Sequence, residues 1–201
     1  MGLYVNSVSE IPLSESRSYY IYVLDYYNWD EPISNTLKAN AERIATFCSQ
    51  NDAVMVKGLP DSHFGSEVLS WVKINGQNPG MVLPALLITT IHPQYFINSQ
   101  DPGPLEEKPE NRKPFEEIKD SLIFLKIRDI CKSPNDVVVL LEKIFHDIKQ
   151  GHAIKDFTIV REQRKGEHGA IVDALILEPN FAGLGIDIKK LVNWARGRGA
   201  G

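Results

Sequence analysis

Residues 19 to 33 read Tyr19-Tyr-Ile-Tyr-Val-Leu-Asp25-Tyr-Tyr-Asn-Trp29-Asp30-Glu31-Pro32-Ile33. Six apolar or aromatic residues run unbroken from Tyr19 to Leu24. A short run rich in β-branched and aromatic types predicts a strand buried on both faces. The polar cluster from Asp25 to Glu31 ends it. Pro32 suits a first helical turn, where a missing N–H costs nothing. Ile33, Leu37, Ala41, Ile44, Ala45 and Cys48 then recur at three- and four-residue steps, the apolar stripe of a helix. Strand, tight polar loop and helix follow in direct succession.

The chain around this unit has 201 residues, enough for one sizeable core or a core with an appendage. Its net charge of −4 gives no reason to expect attraction to nucleic acid or to a membrane surface. The longest apolar runs, about eight residues, are far short of the ~20 that span a bilayer. No signal-like segment opens the chain, so the expected location is cytoplasmic. Two cysteines, Cys48 and Cys131, stand 83 positions apart and lack metal or dithiol spacing. Cys48 falls on the helix stripe and reads as a small buried hydrophobe. Cys131 follows a predicted strand, where partial exposure would leave it available to redox chemistry.

Residues 1–17 are polar and aperiodic and read as an N-terminal arm or a short edge strand. A second strand is predicted over residues 52 to 59, entered by Asn51-Asp52 and left by Gly58 and Pro60. A helix follows over residues 63 to 74, with Phe64, Val68, Leu69 and Val72 inward and Asn75-Gly76 as its stop. Residues 84 to 91 form a third strand with Pro84 at its head, where no ladder hydrogen bond is lost. Residues 92–114 hold five prolines and read as a solvated insertion. A fourth strand covers residues 122 to 127. Ser133-Pro134-Asn135-Asp136 is a strong helix start: Ser caps, Pro takes the first turn and Asp faces the positive end. Val137, Leu140, Leu141, Ile144, Phe145 and Ile148 form the best amphipathic stripe in the chain, closed by Gly151. Beyond it, residues 157–161 and 170–177 read as a β-hairpin. A last helix starts at Asp187.

This order, βαβαββα, resembles the thioredoxin-like fold. In that fold the first strand leads to Trp-Cys-Gly-Pro-Cys at the helix start. Here the same slots hold Trp29-Asp30-Glu31-Pro32-Ile33: Trp and Pro match, and both cysteines are absent. Val82-Leu83-Pro84-Ala85 resembles the thioredoxin Pro that precedes the third strand, usually with a cis bond facing the active-site loop. The resemblance implies an α/β thioredoxin-like core over residues 18–150, carrying the 92–114 insertion. A C-terminal extension over 151–201, a β-hairpin and a helix, packs on that core.

Disulfide exchange needs a thiolate at the helix N-terminus and a second thiol three positions on. Asp30 and Ile33 fill those slots, so the degenerate loop cannot perform that reaction. What the resemblance leaves is a groove for a protein partner or peptide, lined by Trp29, Asp30, Glu31, Pro32, His63 and Pro84. Asp30 and Glu31 equally suit a structural role as capping carboxylates, and Trp29 that of a lid on the core. No cofactor and no metal are expected. Two other chemistries remain. Asp173 with Asp187-Ile188-Lys189 fits the spacing of Mg-dependent nucleases, with Glu162 or Glu167 as an upstream acid. Asp187 reads better as a helix cap, however. Cys131 could act as a single redox cysteine. The five histidines show no HxH or HxxxH spacing. His146 is expected on the polar side of the long helix.

Overall fold

The computed structural model describes residues 1–12, 14, 16–25, 31–71, 82–93, 121–164 and 175–176. The run Tyr19–Leu24 forms β2, buried at every position, at the heart of a mixed sheet. The strands are β1 (Gly2–Val5), β2, β3 (Ala53–Gly58), β4 (Ala85–Thr89), β5 (Leu122–Lys126) and β6 (Leu175–Ile176). Their order across the sheet is β1-β3-β2-β4-β5-β6. β1 and β2 both run parallel to β3. The pairings β2–β4, β4–β5 and β5–β6 are antiparallel. Of the two readings of the N-terminal stretch, residues 2–5 take the edge strand.

Alternation along β2 divides the core. Tyr19, Ile21 and Val23 join one cluster, and Tyr20, Tyr22 and Leu24 join the other. The first face is covered by α1 (Pro32–Ala39), α2 (Ala41–Gln50) and the long helix α5 (Pro134–Lys149). The second is covered by α3 (Phe64–Trp71), with Val8, Ile11 and Ile91 from flanking segments. A one-turn helix, α4 (Ile127–Ile130), follows β5 directly. No helix among the described residues is long and apolar enough to cross a membrane.

The helix expected after Pro32 is interrupted. Asn40 stands between α1 and α2 with φ −89° and ψ 0°. Its side-chain Nδ2 donates to the Thr36 carbonyl at 2.8 Å, beside the bond its own backbone N–H makes there. An asparagine that bonds locally competes with the helix ladder, which explains the break. The stripe survives it: Leu37, Ala41, Ile44 and Cys48 are all buried.

The start of α5 is built as its sequence dictates. Ser133 and Asp136 form a reciprocal capping box, with Pro134 in the first turn. Gly151 takes φ +67° just beyond the helix, a conformation that costs a residue with a Cβ.

The expected strand at residues 157–161 is instead α6, Thr158–Arg164. Ile159 and Val160 carry a strand signal, but a buried carboxylate overrides it. Asp147 on α5 is fully buried, and its Oδ2 accepts the backbone N–H of Thr158 at 2.6 Å. Its Oδ1 accepts the Thr158 hydroxyl at 2.9 Å. These bonds satisfy an N–H at the new helix's first turn, as a side-chain cap does. Phe157, Ile159 and Val160 then pack into the same core as α5. The first arm of the expected C-terminal hairpin is therefore absent. Of its second arm, only residues 175–176 are described, paired antiparallel with β5. The expected last helix lies outside the described residues, as does most of the 92–114 insertion.

Two stability measurements check this account. Asp147→Ala removes the buried acceptor of the Thr158 and His152 donors, and urea unfolding should show a loss of about 2 kcal/mol. Asp136 is read through pH. The N–H of Lys132, then Ser133, hold its carboxyl below the usual carboxylate value of 3.8. A lowered native value means that its contribution is complete above that pH and is lost as pH falls through the native value. In Asp136→Asn this acid-sensitive part of the stability curve should vanish.

Candidate functional site

Strand register brings four chain segments to one end of the sheet. Val23 pairs with Lys57, Leu24 with Ala85, and Ala85 with Lys126. The end of β2, the end of β3, the head of β4 and the end of β5 therefore meet beside the start of α1. This is where parallel strands of an α/β sheet commonly present their ligands.

Charge is concentrated here below the surface. Asp25, immediately after β2, has a side chain only 3% exposed. Its Oδ1 accepts the hydroxyl of the fully buried Ser34 at 2.7 Å, and the Lys38 ammonium stands 3.5 Å from Oδ2. Lys57 lies on the same strand face as Ala53 and Met55 and is itself buried. Burial lowers its pKa; Asp25 opposes that shift and Lys38 adds to it. Holding these charges in the interior requires mutual compensation, so the cluster behaves as one unit.

A second layer joins the head of α1 to the turn after β5. Glu31 is the N-cap residue of α1, but its side chain makes no capping bond. It pairs instead with the Arg128 guanidinium at 2.8 Å. The structural alternative for Glu31, a helix-capping carboxylate, is thus replaced by a bridge to α4. Next to Arg128, the Ile127 N–H donates to the Pro84 carbonyl at 3.0 Å. Lys126 is buried and meets Asp129 at 3.2 Å. The Leu83–Pro84 peptide bond is cis, and Pro84 directly precedes β4.

The expected site residues divide as follows. Glu31, Pro32 and Pro84 come together through Arg128 and Ile127. Trp29 and Asp30 lie outside the described residues. His63 is exposed at the start of α3, and its carbonyl accepts the Glu67 N–H. Among the described residues, no hydrogen bond ties its ring to Glu31 or Pro84. Asp173, Asp187 and Lys189 lie outside the described residues, as does Glu167. Glu162, offered as their upstream acid, is bound by Lys143 Nζ at 2.6 and 2.7 Å. Among the described residues, no group of three or more His, Cys, Asp or Glu side chains could hold a metal ion.

Sequence reasoning missed Asp25, Lys57 and Arg128. A signal existed for the first two: Asp25 abuts six apolar residues, and Lys57 shares the parity of Ala53 and Met55 in an apolar run. Arg128 carried none, because its role depends on α4 turning back toward Glu31.

Cys131 corrects an expectation. It is 1% exposed, not partly exposed, and burial pushes its thiol up to about 12. Cys48 is buried as expected, with its thiol likewise pushed up to about 12 by burial. At that value only about one thiol in ten thousand is thiolate at pH 8. No protein-family model, curated protein or solved structure matches the chain.

The thiols give a direct check. Iodoacetamide at pH 8 should leave both cysteines unmodified in the native protein and alkylate both in urea, as read by intact mass. Rapid native labelling of Cys131 would contradict its burial.

Proposed function

We propose that the chain is a non-redox, thioredoxin-like protein of the cytoplasm that binds a protein partner or an extended peptide. The observation carrying this reading is the order of elements around the charged sheet end. From β2 onward the described elements run strand, helix, strand, helix, strand, strand, helix, with α1 and α2 counted as one interrupted helix and the single turn α4 set aside. Pro84 heads the third of these strands and is linked through Ile127 and Arg128 to the head of α1. The slot of the second thioredoxin cysteine holds Ile33, which packs against the core. An apolar residue there cannot release or accept a disulfide.

The chemistry of the sheet end favours recognition. Arg128 and Glu31 are partly exposed, with side chains 26% and 47% accessible. They offer one cation and one anion on a base of compensated buried charge. Such a rim gives register and specificity to a partner that supplies the complementary pair.

The test has two arms. Purified protein should show no turnover in insulin disulfide reduction; sustained turnover defeats the non-redox reading. A peptide selected for binding from a displayed library should lose at least ~tenfold affinity to Arg128→Glu. Unchanged affinity for every selected peptide would remove the sheet end as the binding site.

A further inference from the structure

On the far side of the first core layer, the end of α5 carries a histidine pair that sequence spacing conceals. His146 lies on the last full turn of α5, exposed, and His152 follows the helix after Gly151. Six positions apart, they match no metal-binding motif. The chain nevertheless turns back so that their rings stand 6.4 Å apart, centroid to centroid, at 74°.

His152 is held at three points. Its backbone N–H donates to the Asp147 carbonyl at 3.0 Å. Its own carbonyl accepts the Tyr19 hydroxyl at 2.7 Å. Its Nδ1 stands 3.0 Å from Asp147 Oδ1. Asp147 accepts two donors from Thr158 as well, so its carboxylate acts as an acceptor and Nδ1 carries the proton. The lone pair of His152 is thereby assigned to Nε2. The His152 side chain remains 34% exposed, on the surface of the molecule beside His146.

A carboxylate that fixes one ring nitrogen while the other is left to bind is the usual support of a metal-ligating histidine. We propose that His146 and His152 form a two-histidine site for a borderline transition-metal ion such as Zn²⁺, with Asp147 as the positioning residue and water completing the coordination. Two imidazoles sharing one zinc at about 2.0–2.1 Å from each nitrogen have ring centres roughly 5 Å apart. His146, exposed on its helix, closes the remaining ~1 Å by side-chain rotation. Lys149 lines the same shallow groove as His146. Its exposed ammonium is screened by solvent and lowers the affinity without removing the ligands.

The proposal is tested by titrating Zn²⁺ into the full chain, followed by calorimetry and by imidazole nitrogen NMR. One equivalent should bind saturably and shift the Nε2 signals of His146 and His152, while those of His63 and His92 stay in place. His146→Ala alters only an exposed ring and should fold normally, yet weaken binding by at least ~tenfold. His152→Ala should do the same. Absence of saturable binding at millimolar zinc overturns the proposal. So does binding that His146→Ala leaves unchanged, or shifts confined to the other histidines.

Discussion

The structure depends on one strand being enclosed on four sides. β2 is hydrogen-bonded to β3 along one edge and to β4 along the other, and its two faces lie in two separate cores. No residue from Tyr19 to Leu24 contacts solvent appreciably. Each large apolar side chain so buried contributes about 1.5–3 kcal/mol. The gain exists only if helices cover both faces, so α1, α2 and α5 on one side and α3 on the other are obligatory. Tyr22 shows how far the enclosure goes: it is fully buried, stacked on Phe64 at 6.1 Å, and desolvation raises its hydroxyl well above the ordinary pKa.

The same enclosure creates the charged sheet end. A strand buried throughout must end abruptly, and Asp25 is where β2 ends. One position beyond Leu24, it is still beneath α1, so its charge has to be met inside the protein. Ser34 and Lys38, four positions apart on α1, point to the same place and meet it. Lys57 then lies in a partly compensated interior instead of an apolar one. These residues fix the head of α1 against the sheet. The more exposed pair, Glu31 with Arg128, has its backbone geometry set by that foundation. A rim whose positions are fixed beforehand loses less freedom when a partner arrives.

Local signals were legible where one side chain's neighbours in sequence were also its neighbours in space. The apolar runs of β2 to β5 and the stripe and capping box of α5 belong to that class. What stayed hidden depended on distant partners. Ile159 and Val160 read as strand because nothing nearby reveals that the Asp147 carboxylate, 11 positions before Thr158, accepts the Thr158 N–H. Asn40 broke a continuous stripe through a side-chain bond that periodicity does not register. For the candidate site, Pro84 and the head of α1 were legible as motif echoes. Their linkage through Ile127 and Arg128 was not, because α4 is a single turn with no pattern of its own. His63 was singled out by position in the chain, but it lies exposed at the opening of α3, and its ring makes no described bond to the sheet end.

The two polar centres of the molecule solve the same problem differently, and that contrast bears on what each can do. Asp25 is met by the Ser34 hydroxyl and the Lys38 ammonium, both on α1, and interacts through charge with Lys57 on β3. Its compensation is internal, and what it presents outward is a rigid platform. Asp147 is satisfied by one backbone N–H, one hydroxyl and one imidazole, and the imidazole is partly exposed. The carboxylate's influence leaves the core through the His152 ring, and through the Thr158 hydroxyl to Arg161. A buried charge coupled to a partly exposed imidazole suits capture of a small ion. A buried network under a broad rim suits a surface that meets another chain. On this argument the proposed recognition face and the proposed ion-binding face are separate, one at the sheet end by α1 and the other at the end of α5.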